Sequence, residues 1–172
     1  MKTLFDKHFT VDFKTGQLWW NETTNVSIKE GAEITSCDGQ GYLKVRLNDR
    51  NIKLHRIIWI MAGNTIPKGY ILDHINRNRV DNRLENLRLA TLSNNAMNRG
   101  PSSRNTSGYK GVCVNAKRGR VTAQICIDKY YLNLLDLYDT PENRVRCAKA
   151  YDEAALYHYG EFAYLNFGDN NG

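Results

Sequence analysis

The sequence predicts an α+β fold in two small parts. Three observations predict it. Residues before about position 60 alternate apolar and polar at the period of β-strands, broken by turn signals. Residues 140–160 carry one apolar stripe at helical spacing behind a run of three strand candidates. Between the halves lies "GPSSRNTSG", a linker by composition. The expected boundaries are 1–100, a linker at 101–108, and 109–168. No internal repeat relates the halves.

In the first part, "FTVDFKTGQLWWN" reads as a hairpin turning at "DFKTG". In "DGQGYLKVRLNDRNIKLHR", Tyr42, Lys44 and Arg46 alternate with Leu43, Val45 and Leu47, so one face is apolar and the other cationic. Asn48-Asp49-Arg50-Asn51 is expected to make its turn. "HRIIWIMAGN" reads as a short buried helix ending near Gly63, and "IPKGYILDHIN" runs into a short strand. "LATLSNNAMNRG" reads as a helix capped by Thr91 or Ser93 and ended by Gly100.

In the second part the strand candidates are 109–115, 120–128 and 130–138, turning at Lys117-Arg118-Gly119 and Asp128-Lys129. "TPENRVRCAKAYDEAALYHYGE" reads as a helix with Thr140 as N-cap, Pro141 at its first position and Gly160 at its end. Ala148, Tyr151, Ala155 and Tyr159 form its buried stripe, and the small alanines let it lie close on a sheet.

The totals narrow the function. The chain of 172 residues carries a net charge of +6 and a pI near 9.2, which favours an anionic partner, nucleic acid above all. Residues 101–125 hold Arg104, Lys110, Lys117, Arg118 and Arg120 and no acid, so the second sheet is expected to carry cations and its helix the anions. No apolar run approaches the roughly 20 residues of a membrane helix. The start lacks a signal-peptide core, because Asp6, Lys7 and His8 interrupt it, so a cytoplasmic location is expected. Cys37, Cys113, Cys126 and Cys147 form no C-x-x-C pair, so no structural zinc is expected.

The chemistry concentrates in "LDHINRNRVDNRLENLRLATLSNN". Asp73-His74 ends a strand, and Thr91, Asn95 and Asn98 share a face of the following helix. A carboxylate with an amide oxygen suits a hard divalent cation such as Mg²⁺, and a neutral histidine beside it can deprotonate water. The bland reading is an Asp-His pair without special role among turn-forming asparagines.

The stretch "HRIIW…GYILDHINRNRVDNRLENLRLAT…NNAMNR" resembles the HNH nuclease motif of phage and intron-encoded homing endonucleases. That motif is the ββα-metal, or His-Me finger, fold: a hairpin and a helix around one metal ion. The resemblance extends over most of residues 5–100. It implies Asp73 and Asn95 as metal ligands for Mg²⁺ or Mn²⁺ and His74 as general base. It implies Asn86 as a brace between loop and hairpin, with Asn98 and His55 as further structural support. It implies phosphate contacts by Arg56, Arg77, Arg79 and Arg83, with Arg77 standing where relatives commonly have glycine. Asn76, Asn78 and Asn82 read as loop residues.

The second half, "SGYKGV…RGRVTAQICID…AKAYDEAALYHYGEFAYLNF", resembles the Apetala/ethylene-response-factor DNA-binding domain, a three-stranded antiparallel sheet packed on one helix. That resemblance implies Lys110, Lys117, Arg118, Arg120, Thr122 and Gln124 facing double-stranded DNA. Two departures stand out: Val121 replaces a common sheet tryptophan, and "YYLNLLDLYD" runs one residue long. Together the resemblances imply a site-directed DNA endonuclease of the homing type. The alternative is a DNA-binding regulator with an inactive nuclease site. Monomer and homodimer both stay open.

Overall fold

The computed structural model describes residues 3–23 and 28–168. The chain divides into two compact units, Met1–Leu92 and Ser93–Gly172. The fold is α+β, built on small antiparallel sheets.

The first unit holds three two-stranded hairpins. Strands β1 (Phe9–Asp12) and β2 (Gln17–Trp20) pair with Phe9 opposite Trp20. Their turn is organised by Asp12, whose Oδ1 accepts from the Lys14 nitrogen at 2.8 Å. It closes at Gly16, in the left-handed region with φ +72. Only glycine fits there, because a Cβ would lie 2.3 Å from the Arg83 nitrogen.

Strands β3 (Lys44–Leu47) and β4 (Arg50–Lys53) follow. Their turn is two residues long, Asn48 and Asp49, at φ 48 and φ 61. Arg50 and Asn51 therefore belong to the strand and not to the turn. The two-residue turn matches the right-handed strand twist, and Asn and Asp tolerate its left-handed conformation. Helix α1 (Leu54–Met61) buries Leu54, His55, Ile57 and Ile58, and Gly63 follows it at φ +83. Phe9, Leu18, Trp20, Ile34 and Val45 complete this core.

Strands β5 (Ile71–His74) and β6 (Leu87–Ala90) form the third hairpin, with Asp73 opposite Arg88 and His74 opposite Leu87. A single 3-10 turn, Leu84–Asn86, precedes β6. Helix α2 (Leu92–Asn98) follows, giving the order ββα; it starts just after Thr91 and contains Ser93.

In the second unit β7 (Val112–Asn115), β8 (Arg120–Ile127) and β9 (Tyr130–Tyr138) form one antiparallel sheet in that order. The first strand starts three residues later than its alternation suggests. Residues 105–111 instead make a polar turn, in which the Ser107 hydroxyl donates to the Val112 carbonyl at 2.8 Å. Asp128 and Lys129, both at positive φ, make the second turn. Gln124 pairs with Asn133 where Ala123 pairs with Leu135, so Leu134 forms a β-bulge. The bulge shifts the register between Ala123 and Gln124, and the alternation resumes beyond it.

Helix α3 (Pro141–Tyr159) begins as read, with the Thr140 hydroxyl accepting from the Asn143 nitrogen at 3.2 Å. Cys147, Ala148, Tyr151 and Ala155 are buried on the helix, and Val112, Val121, Ala123 and Ile125 are buried on the sheet. The expected segregation of charge does not hold. Helix α3 carries Glu142, Asp152 and Glu153 against Arg144, Arg146 and Lys149, and so is balanced.

Gly111 sits at φ +74, where a Cβ would fall 1.9 Å from the Tyr151 ring. Gly111→Ala is expected to destabilise the second unit by about 3 kcal/mol, the sum of overpacking and a left-handed alanine. Denaturant unfolding followed by circular dichroism measures it.

Candidate active site

Hairpin β5–β6 places two polar side chains in the interior. Asp73 is 7% exposed and His74 only 4%. A buried carboxylate needs compensation. Arg88 supplies it, its Nε and Nη2 each donating to Asp73 Oδ2 at 3.1 Å. The sequence reading singled out no role for Arg88. The signal was cross-strand register, which a twelve-residue connection from Ile75 to Asn86 hides.

The His74 ring meets Asn82 Oδ1 through Nε2 at 3.0 Å. Asn82 is 1% exposed. It is therefore not a simple loop residue, and the sequence reading missed it. His74 also lies edge-on to His55, with ring centroids 5.0 Å apart, and the Tyr42 ring lies tilted against both. Burial lowers the His74 pKa, against the opposing pull of the Asn82 hydrogen bond and the Asp73 and Asp81 carboxylates. Burial pushes His55 down to about 3, and the His74, Lys53 and Arg56 charges act the same way. Both rings are neutral at pH 7.

The other asparagines tie the connecting loop. Asn86 accepts from the Asn76 nitrogen at 3.0 Å and donates to Asn76 Oδ1 at 2.9 Å and to the Asp81 carbonyl at 2.7 Å. Asn76 Oδ1 also accepts from the Asn78 nitrogen at 2.9 Å, and Asn78 Oδ1 from the Val80 nitrogen at 3.2 Å, both local turn bonds. Asn95 and Asn98 lie on α2, in the second unit; Asn95 is partly exposed and Asn98 buried.

The cations named from sequence divide into several kinds. Arg56 is exposed on α1. Arg77 sits at φ 65, the conformation glycine adopts without steric cost. Arg79 donates to the Gln40 carbonyl at 2.5 Å and lies over the Tyr42 ring. Arg83 is held between Asp81 at 2.9 Å and Glu85 at 2.7 Å, so its charge is already balanced. In the second unit Lys117 and Arg118 are exposed at the β7–β8 turn, and Thr122 and Gln124 face outward from β8. Arg120 pairs with Asp136 at 2.9 Å and stacks on Tyr138. Lys110 is the clearest departure. Its ammonium donates to the Met97 and Arg99 carbonyls at 2.5 and 2.6 Å, at the C-terminal end of α2. That contact ties the Lys110 side chain to the end of α2 within the second unit.

Residues 53–97 match the family model for HNH endonucleases. Protein 3.8 of Escherichia phage T7 is 42% identical over 74 residues, covering 41% of this chain and 61% of that protein. An uncharacterized HNH endonuclease of Acanthamoeba polyphaga mimivirus is 35% identical over 71 residues, covering 41% of this chain and 37% of its own length. The chain thus matches less than two thirds of the length of either relative. Among solved structures, that of the HNH homing endonuclease I-HmuI aligns at a TM-score of 0.40 and 18% identity, over 88% of this chain and 85% of that one. The matched HNH segment contains Asp73, His74, Asn82, Asn86, Arg88 and Asn95.

The donor chemistry fits a hard cation. Asp73 offers a carboxylate and Asn95 an amide oxygen. Among the described residues no group of three His, Cys, Asp or Glu is placed to hold a metal ion.

The buried histidines make stability depend on pH. A histidine with folded pKa near 3 and unfolded pKa near 6.5 binds fewer protons folded than unfolded between those values. Its contribution is complete above pH 6.5 and is lost as pH falls. Unfolding free energy is expected to drop by about 1 kcal/mol per pH unit from pH 6 to 4 on account of His55. Urea titrations at several pH values measure this, and His55→Phe is expected to flatten the dependence.

Proposed function

We propose that the chain is a site-directed DNA endonuclease of the homing type, cutting phosphodiester bonds with one divalent cation. The observation that carries this reading is a neutral, buried His74 next to the Arg88-held Asp73, within the HNH segment. The relatives support it, one being named an HNH endonuclease.

In this reading Asp73 and Asn95 hold the cation, Mg²⁺ or Mn²⁺. When bound, it neutralises charge developing on the phosphate and leaving oxygen. His74 accepts a proton from water as the water oxygen forms its bond to phosphorus. The bond from phosphorus to the leaving sugar oxygen breaks, and that oxygen takes a proton from solvent. His74 is neutral at pH 7 and so can act as base there. Arg88 keeps the Asp73 carboxylate oriented, and Asn86 keeps the loop closed over the hairpin. In the same reading Arg56 and Arg77 meet phosphates.

The second unit positions the nuclease on double-stranded DNA, as an Apetala/ethylene-response-factor-like domain would. Its outer sheet face presents Thr122 and Gln124, and the exposed β7–β8 turn presents Lys117 and Arg118. A sheet face with cations at one end suits a major groove. No helix among the described residues is long and apolar enough to cross a membrane.

Two tests apply. Supercoiled plasmid bearing candidate target DNA is incubated with protein and Mg²⁺, with and without chelator, beside His74→Ala. Wild type is expected to nick or linearise it, while chelator and His74→Ala each lower the rate at least about 100-fold. A wild type that shifts the DNA in a gel yet leaves it intact points to the regulator reading instead. Lys117→Ala with Arg118→Ala is expected to weaken binding and lower the salt slope by about 2. An unchanged slope, read by fluorescence anisotropy across salt, removes this turn from the interface.

A further inference from the structure

His74 has two ring nitrogens, and a neutral imidazole carries its proton on one of them. Which one decides where a base can act. The nitrogen facing Asn82 is Nε2, at 3.0 Å from Oδ1. The Asn82 amide is oriented by its other end, since Nδ2 donates to the Val80 carbonyl at 3.4 Å. Its oxygen therefore points at His74. An amide oxygen only accepts, so Nε2 must donate.

Asn82 is itself held from behind. Its backbone and that of Arg83 lie against the turn of the first hairpin, about 65 residues earlier in the chain. A Cβ on Gly16 would meet the Asn82 carbonyl carbon at 2.4 Å and its oxygen at 2.9 Å. One residue on, the Leu84 nitrogen donates to the Phe13 carbonyl at 3.1 Å. The turn Phe13–Gly16 thus presses directly on the segment that carries Asn82. That turn rests in turn on a core containing Phe9, Leu18 and Trp20.

We infer that Asn82 is a positioning residue that locks His74 in its Nε2–H tautomer, with the first hairpin's turn as the strut behind it. The lone pair then lies on Nδ1, and Nδ1 takes the proton from water. The function of this lock rests on the nuclease reading above; the tautomer itself does not. Asn82 sits outside the Asp-His-Asn set expected to react. Its effect on the reaction runs through the orientation and protonation of His74. A wrong tautomer leaves a base with its proton already in place where the lone pair is needed.

The test reads the ring directly. Two-bond ¹H–¹⁵N spectra of the uniformly labelled full chain at neutral pH distinguish the tautomers, with His74 assigned by comparison with His74→Gln. Wild type is expected to carry the proton on Nε2. Asn82→Asp, which keeps the oxygen acceptor, is expected to keep that pattern, whereas Asn82→Ala mixes the tautomers. In plasmid cleavage Asn82→Ala is expected to lower kcat by about 100-fold, with KM within about threefold, and Asn82→Asp to recover most of the loss. A wild-type ring protonated on Nδ1 overturns the inference, as does an Asn82→Ala ring unchanged from wild type. If Asn82→Ala does not fold, the wild-type and Asn82→Asp spectra decide. An Nε2–H ring in a chain that cuts no DNA upholds the lock and rejects the nuclease reading.

Discussion

The buried ion pair between Asp73 and Arg88 sets the terms for the HNH segment. Both groups are about nine-tenths buried, and each alone would cost several kcal/mol in the interior. Together they offset that cost only in one geometry, with Arg88 directly across from Asp73. The pair therefore does more for register than for net stability. A slip of one residue would turn Arg88 to the other face and leave the carboxylate uncompensated. The register it specifies sets His74 opposite Leu87, and from there the ring reaches Asn82. Electrostatics chosen for alignment thus determine where the His74 ring stands.

The remaining cations show why net charge alone says little about contacts. Arg83 has two carboxylate neighbours, Arg120 one, and Lys110 two helix-end carbonyls. Pairs as exposed as Arg83–Glu85 and Arg120–Asp136 are worth about 0–1 kcal/mol. They can exchange a carboxylate for a phosphate at little cost, so a pair does not remove its arginine from a nucleic-acid surface. Lys110 differs in kind, because leaving it unpaired would strip the last turn of α2 of its donor. Arg77 differs again. A left-handed arginine costs on the order of 1 kcal/mol relative to glycine, and the fold tolerates that cost in the loop between β5 and β6.

Much of this was legible in the sequence because it depends on local chemistry. Thr140 and Pro141 mark the start of α3 with the groups any helix start requires. The alternation around Val45 marks a strand, and Gly63 and Gly160 mark stops. The turn at Asn48-Asp49 was legible in place but not in length, since Arg50 and Asn51 suit a polar strand as well as a loop. The bulge at Leu134 has no local signal of its own, since it is a property of the pairing with β8. What stayed hidden depends on pairs distant in sequence. Arg88 meets Asp73 through a register that a loop conceals, and Lys110 meets carbonyls that no spacing rule predicts.

Asn82 is the sharpest instance. The loop contains several asparagines of the same chemical capacity, and local rules assign them all to turns. For Asn76 and Asn78 this is right, since each accepts a backbone N–H two residues on. Asn82 escapes that role because its surroundings are dry. An amide 1% exposed cannot be satisfied by water, so both ends must find partners in the protein. One end takes the Val80 carbonyl and the other the imidazole, and Gly16 is what permits the backbone to come close enough for the site to be sealed. The glycine at one hairpin turn and the asparagine in a distant loop are thus a single device: the missing Cβ of the first lets the amide of the second be buried against the histidine it orients.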